Sequence, residues 1–230
     1  KNLKKNRYHP MLKSRLPNKL NILDYKFLKS ELKKNYNYVV LAVSSKGIDW
    51  VIEKLVKNYV KKYYLIVLTK GLSIYKNKII TISNKINLEF QRKGLPIQNI
   101  TSIKGPCLAV GLINKVRTST VIANQSISVA SQVSRIISTS YYTTEVTKDI
   151  IGVEILGAIK NIYAMLIGAS VGLSGSKLKE NIRLKYFHNT SSVLFRKSLN
   201  EMEIFTKKMN GNPKTAYGLA GLGDLYVSIV

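Results

Sequence analysis

A lysine and an asparagine close the run Gly152-Val-Glu-Ile-Leu-Gly-Ala-Ile-Lys-Asn161, which apart from Glu154 is small and apolar. At helical spacing, Gly157, Lys160, Ala164 and Gly168 share one small-residue stripe, and Val153, Leu156, Ile159, Ile162, Tyr163, Leu166 and Ile167 fill most of the remainder. The pattern predicts a helix buried nearly all round. A lysine on its stripe would be partly desolvated, which weakens the hold of an ammonium on its proton and suits exchange with a substrate hydroxyl. The alternative is a lysine whose stem packs while its head reaches water. A second chemical feature is Gly218-Leu-Ala-Gly-Leu-Gly-Asp224, a glycine-rich turn ending in a carboxylate. Taken alone, it equally describes a plain loop leading to a helix whose first turn favours an acid.

These residues must be held by the elements around them. Basic residues run from Lys1 to Lys34 with Pro10 and Pro17, and Leu20 to Leu32 reads as a short strand and helix. Tyr36 to Val43 is a compact β-rich run of the buried parallel type, ended by Ser44-Ser45-Lys46-Gly47. Ile48 to Val60 follows at helical spacing with Trp50 as a core anchor. Next come a strand at Tyr63 to Leu68, the loop Thr69-Lys70-Gly71, a helix over Ile74 to Arg92, and strands at Ile97 to Ile103 and Thr118 to Ala123. The alternation predicts an α/β fold: an incomplete Rossmann-type parallel sheet domain over 1–148, then an all-helical domain over 149–230. Helices are expected at Ile150–Ala169, at Ser191–Met209 and from near Asp224. Parallel sheets bind ligands at the carboxyl ends of their strands, which singles out the loops at Ser44, at Lys70 and at Lys104-Gly105-Pro106-Cys107.

Composition removes other classes. The 230 residues carry 37 Lys and Arg against 12 Asp and Glu, a formal charge of +25. Such a balance fits polyanions, anionic membrane surfaces or phosphorylated ligands. The lysines are spread along the whole chain without a nucleic-acid-binding motif, so the bias does not favour nucleic acid as the main partner. Clusters such as Lys1 to Arg7 and Lys61-Lys62 read as solvated faces. One cysteine, Cys107, precludes an internal disulfide framework, and His9 and His188 are too few and too scattered for a histidine metal site; no metal is expected. The apolar run Ile150 to Leu173 is broken by Glu154, Lys160 and Asn161 and reads as a core helix, not a membrane span. With no secretory signal in the opening residues, a reducing, cytoplasmic setting is expected.

In order, Leu41-Ala-Val-Ser-Ser45, Thr69-Lys70-Gly71, Gly105-Pro-Cys-Leu-Ala109, Ile151-Gly-Val-Glu154, Gly157-Ala-Ile-Lys-Asn161 and Gly218-Leu-Ala-Gly-Leu-Gly-Asp-Leu225 resemble the NAD(P)-dependent glycerol-3-phosphate dehydrogenases of the bacterial type. The resemblance covers nearly the whole chain and is most specific at 150–161 and 218–225. It implies a dinucleotide-binding domain and a helical domain with the active site between them, NAD or NADP as cofactor, a phosphorylated small-molecule substrate, a homodimer among the allowed assemblies, and a role feeding phospholipid synthesis. By the same resemblance Lys160 is the catalytic proton acceptor. Lys70, Gly105, Cys107, Asn161 and Asp224 join Lys160 in contacting substrate, and Lys70, Ala109 and Ser44 contact the cofactor.

The chain also departs from the family pattern. The Gly-x-Gly-x-x-Gly turn that cradles pyrophosphate and the Ser-Arg-Asn element that meets phosphate are not among these residues. Cys107 stands where serine or threonine is usual, Val110-Gly111 where Lys-Glu is usual, and Lys197 where arginine is usual, while Lys177 to Phe187 looks inserted. The pattern is that of a copy truncated at both ends. It leaves open a catalytically dead remnant, a basic polyanion-binding module, or a poorly folding piece with an exposed sheet edge.

Overall fold

The computed structural model describes residues 2–34, 36–60, 63–173 and 180–229; side chains at 2, 173 and 180–187 are outside the description. Lys61-Lys62 and positions 177–179 of the insertion-like stretch lie outside the described residues. The chain opens with α1 (Asn2–Asn6), a small antiparallel pair β1 (Tyr8–His9) and β2 (Ser14–Arg15), a 3-10 turn at Tyr25–Phe27, and α2 (Leu28–Leu32). No strand forms over 20–24, because that stretch finds no neighbouring edge; Asp24 instead caps the 3-10 turn through the Lys26 amide.

A five-stranded sheet follows. It runs β3 (Tyr38–Leu41), β4 (Tyr64–Val67), β7 (Asn99–Lys104), β8 (Thr118–Ala123) and β9 (Tyr142–Thr147) in that order. The pairs β3–β4, β4–β7 and β8–β9 are parallel, with Leu41 opposite Val67 and Val67 opposite Ser102. Only β7–β8 is antiparallel, with Ser102 opposite Ala123. The parallel pairs are bridged by crossovers, α3 (Ile48–Lys57) between β3 and β4 and α6 (Ile127–Ile137) between β8 and β9, as parallel pairing requires. The Rossmann-type expectation holds, with one junction where direction reverses around the short α5 (Ala109–Ile113).

Between β4 and β7 the chain differs from the predicted helix over Ile74 to Arg92. A hairpin, β5 (Leu72–Tyr75) and β6 (Lys78–Thr81), precedes α4 (Ile82–Arg92). Lys76 and Asn77 both take positive φ, 45° and 61°, the conformation of a two-residue type I′ turn. Thr81 then caps α4, its Oγ1 accepting from the Asn84 amide at 3.3 Å. Ile82, Ile86 and Phe90, spaced by four, bury one stripe of α4 against the sheet. Trp50 is no core anchor. It is exposed and meets Tyr25 edge-on, on the α3 face opposite buried Val51, Ile52 and Leu55.

The helical region holds α7 (Ile150–Leu173), α8 (Glu180–Lys208), a 3-10 turn at Pro213–Tyr217, a wide turn at Leu219–Gly223 and α9 (Asp224–Ile229). Ile150, Val153 and Ala220 enter the same core as Leu65, Val67 and Phe90 of the sheet region, so the two regions share apolar packing. Asp149 fastens the entry to α7. Its Oδ1 accepts from the Gly152 amide at 2.9 Å, while Oδ2 accepts from the Asn212 amide and from Thr215 Oγ1 at 2.6 Å. Up to Lys160, α7 is enclosed as predicted. Beyond it, Ile162, Met165 and Leu166 are exposed, and the packing of the second half among the described residues runs through Tyr163, Ala164 and Ile167 with Leu194 and Phe195 of α8.

Candidate active site

Three charged side chains from distant parts of the chain meet where α7, α9 and the carboxyl end of β4 converge. Lys160 is 5% exposed and Asp224 1%. The Lys160 ammonium donates to Asp224 Oδ1, to the Asp224 carbonyl at 3.1 Å and to Ser228 Oγ at 2.6 Å. Its three N–H donors therefore have three acceptors. Lys70 Nζ donates to the other carboxylate oxygen, Asp224 Oδ2, at 2.7 Å, with its side chain 35% exposed. One carboxylate is thus shared between a buried lysine and a lysine that reaches the surface. Burial lowers the proton affinity of Lys160, the Lys70 charge lowers it further, and Asp224 opposes both. The prediction of a desolvated lysine holds, and the alternative of a head escaping to water does not.

The glycine-rich turn has a steric reason. A Cβ on Gly221 would fall 2.2 Å from the Ala216 carbonyl oxygen, so only glycine lets the chain double back there. The Gly223 amide bonds the Gly218 carbonyl five residues earlier, a widened helical turn that delivers Asp224 at the start of α9. Gly223 in turn packs on Pro106, which brings the Gly105-Pro106-Cys107 loop against the wall of the cluster.

The remaining predicted residues are placed as follows. Gly105 is buried at the end of β7 with φ 138°, and a Cβ there would press on Thr120. Cys107 is half-buried; burial pushes its thiol up, with Thr118 opposing. Ala109 opens α5 and is exposed, as is Ser44 at the end of β3, whose hydroxyl caps nothing. Asn161 follows Lys160 but is exposed and shares no hydrogen bond with the cluster among the described residues. The structure therefore joins Lys70, Lys160 and Asp224 directly, sets Gly105 and Cys107 beside them, and leaves Ser44, Ala109 and Asn161 at the margin. Ser44, Lys70 and Ala109 follow the carboxyl ends of β3, β4 and β7, the ends at which parallel sheets take their ligands.

Three residues were given no role from sequence, although Glu154 was noted as a break in the apolar run and Lys104 as the start of a candidate loop. Ser228, one helical turn after Asp224, bonds Lys160 and returns a bond to the Asp224 carbonyl at 2.7 Å. Its i+4 spacing was a usable signal. Glu154, buried in α7, accepts from the amide and hydroxyl of Ser83 at 3.0 and 2.5 Å, at the positive end of α4. Lys104 is 2% exposed, its Nζ donating to the Val67 carbonyl at 3.0 Å and to Ser102 Oγ at 2.9 Å. Burial lowers its pKa to about 8.

The described residues contain one helix, Ile150–Gly172, long and apolar enough to cross a membrane. Its first half is enclosed by protein and carries Glu154 and Lys160. Among the described residues no group of three or more His, Cys, Asp or Glu could hold a metal ion.

A dinucleotide-type sheet joined to a helical region is the fold shared with two solved structures. Glycerol-3-phosphate dehydrogenase from Coxiella burnetii superposes with a TM-score of 0.79 at 23% identity, over 100% of this chain and 64% of that one. DsGPDH of Dunaliella salina gives 0.79 at 20% identity, over 99% and 36%. Both likenesses establish the fold. Family profiles then place the sequence: the N-terminal profile of NAD-dependent glycerol-3-phosphate dehydrogenase matches residues 2–130 and the C-terminal profile matches residues 149–230, so the chain belongs to that family. The NADP(+)-dependent glycerol-3-phosphate dehydrogenase of Archaeoglobus fulgidus is 31% identical over 98% of this chain and 64% of its own length. A glycerol-3-phosphate dehydrogenase [NAD(P)+] of Clostridium tetani is 29% identical over 90% of this chain and 54% of its own. The chain spans between about half and two thirds of the length of these relatives.

Proposed function

We propose that the chain is an NAD(P)-dependent oxidoreductase interconverting sn-glycerol 3-phosphate and dihydroxyacetone phosphate in the cytoplasm, supplying phospholipid synthesis. The division of labour is a dinucleotide-binding part over 1–148 and a catalytic part over 149–230. The observation that carries this is the burial of Lys160 on Asp224, with Lys70 on the second carboxylate oxygen.

In oxidation, neutral Lys160 takes the proton of the C2 hydroxyl while the C2–H bond breaks. A bound nicotinamide would supply the hydride acceptor, leaving C2–O as a carbonyl. In reduction Lys160 returns the proton. Its lowered affinity raises the neutral fraction near pH 7, which favours the base role, so oxidation is expected to speed up as pH rises through the Lys160 titration. Asp224 holds the ammonium form and orients Nζ. Lys70, Gly105 and Cys107, with Asn161 at the margin, are assigned to the phosphorylated substrate, and Ser44 and Ala109 share the cofactor side with Lys70. A homodimer covering Ile162, Met165 and Leu166 belongs to the same reading.

The test is dihydroxyacetone-phosphate-dependent oxidation of NADH and of NADPH. Lys160→Ala is expected to lower turnover by about 10²–10⁴-fold with the fold retained. Turnover that survives the substitution, or none in the unaltered chain, would overturn the proposal. The charge of +25 supports a second reading, a degenerate copy that binds polyanions. That binding would weaken steeply with salt, and binding to heparin or RNA that is flat in salt would refute it.

A further inference from the structure

Lys104 has no part in the chemistry above, yet it touches every element that positions it. Its ammonium lies at the carboxyl end of β7 and donates across to the Val67 carbonyl, the last residue of β4, and to Ser102 Oγ. Three residues after Val67 the same chain carries Lys70. The stem of Lys104 runs along α7 at Gly157, where a Cβ would fall 2.9 Å from Lys104 Cδ and 3.0 Å from Cγ. Gly157 lies one helical turn before Lys160 on the same small-residue stripe, so the absence of a side chain there is the slot through which Lys104 passes. One side chain thus links the strand that leads to Lys70 with the helix that carries Lys160.

An apolar side chain would fill this slot without a desolvation cost. A buried ammonium is expensive unless it is paired, and among the described residues Lys104 makes no ion pair within 4.0 Å; its hydrogen-bond acceptors are neutral. What the ammonium adds over a methionine is directional donation to the end of β4. We infer that Lys104 is a positioning residue, a charge-assisted clasp between β7 and β4 that sets where the Lys70 loop sits relative to α7 and Asp224. The inference rests on the reading of Lys70, Lys160 and Asp224 as the working site.

The clasp is titratable. Burial disfavours its charged form most strongly, Lys70 from the loop after β4 adds to that, and Glu154 of α7 and Asp224 of α9 oppose both without cancelling them. Above a pH of about 8 the clasp loses its charge and its donation weakens.

The experiment is amide hydrogen exchange on the whole chain, corrected for intrinsic rates, at about pH 7 and about pH 9.5, with Lys104→Met and Gly157→Ala. The reporter is the segment Leu68–Gly71, whose first amide bonds the Leu41 carbonyl at 2.9 Å. In the unaltered chain its protection is expected to fall between the two pH values while that of Val39–Leu41 in β3 holds. Lys104→Met is expected to show roughly tenfold lower protection of Leu68–Gly71 already at the lower pH, as for loss of one charge-assisted bond, with no further step and no lowered melting temperature. Gly157→Ala, which displaces the stem without touching the donors' partners, is expected to act in the same direction. Wild-type protection in Lys104→Met, a retained pH step, or equal loosening of β3 would each overturn the clasp. Dihydroxyacetone phosphate turnover is measured in parallel. A pH step without turnover would sink the dehydrogenase reading alone, and turnover without the step would sink the clasp alone.

Discussion

The two halves of α7 are nearly equal in hydrophobic content but differ in surroundings. From Ile150 to Lys160 the helix is walled by the sheet core, α8, α9 and the glycine-rich turn, and Val153, Ile155 and Leu156 lose all contact with water. From Asn161 onward, among the described residues, one side is packed on α8, and Met165 is 67% exposed. The first half can therefore hold charges whose interactions are strengthened by a low local dielectric, while the described second half encloses only Ile167. Chemistry on this helix is confined to the enclosed half by packing, whatever the side chains farther along.

Substitutions in the two halves should separate accordingly. The largest effect is expected from Asp224→Asn, which leaves Lys160 buried without a counter-charge; loss of one partner of a buried pair costs about 3–5 kcal/mol, read by denaturant unfolding. Adding Lys160→Met should recover a large part of that loss, and a double-mutant cycle showing no coupling would contradict the shared carboxylate. Next, Leu156→Ala in the enclosed half should cost about 2–5 kcal/mol, since its neighbours cannot collapse into the space.

A third test uses pH. The pKa of Lys104 falls from 10.5 to about 8 on folding, so below pH 8 the folded chain must hold a charge it disfavours. The unfolded chain binds more protons between the two values, so stability should rise with pH across that window, by at most about 3 kcal/mol. Lys104→Met should abolish the rise. The smallest effect is expected from Met165→Lys, within about 0.5 kcal/mol; a larger loss would show that the exposed half is covered in solution.

Much of this site was legible in the sequence because its residues violate their local pattern. Lys160 interrupts an apolar helix, and Asp224 ends a run of glycines, so each announces a reason to be there. Lys104 does not. It ends the strand Asn-Ile-Thr-Ser-Ile-Lys as a lysine ordinarily ends a strand, reaching for water, and its burial is decided by Gly157, a partner 53 residues away. The β5–β6 hairpin was hidden for a related reason. Isoleucines at 74, 79, 80, 82 and 86 run through at helical spacing, and a lysine at the first turn position, held at φ 45°, is a weak sign of a turn that favours Asn-Gly. Strand β9 was missed because its exposed outer face and Glu145 dilute the apolar signal.

The join between Lys160 and Asp224 spans 64 residues of sequence. During synthesis, at about 5–20 residues per second, the lysine would emerge from the ribosome roughly 3–13 seconds before its carboxylate. Until then α7 is a helix with an uncompensated cation and can close onto the sheet only at a penalty. The wide turn and α9, made well after α7, are thus the pieces that let the helix settle, and the proposed proton-transfer site cannot form before they emerge.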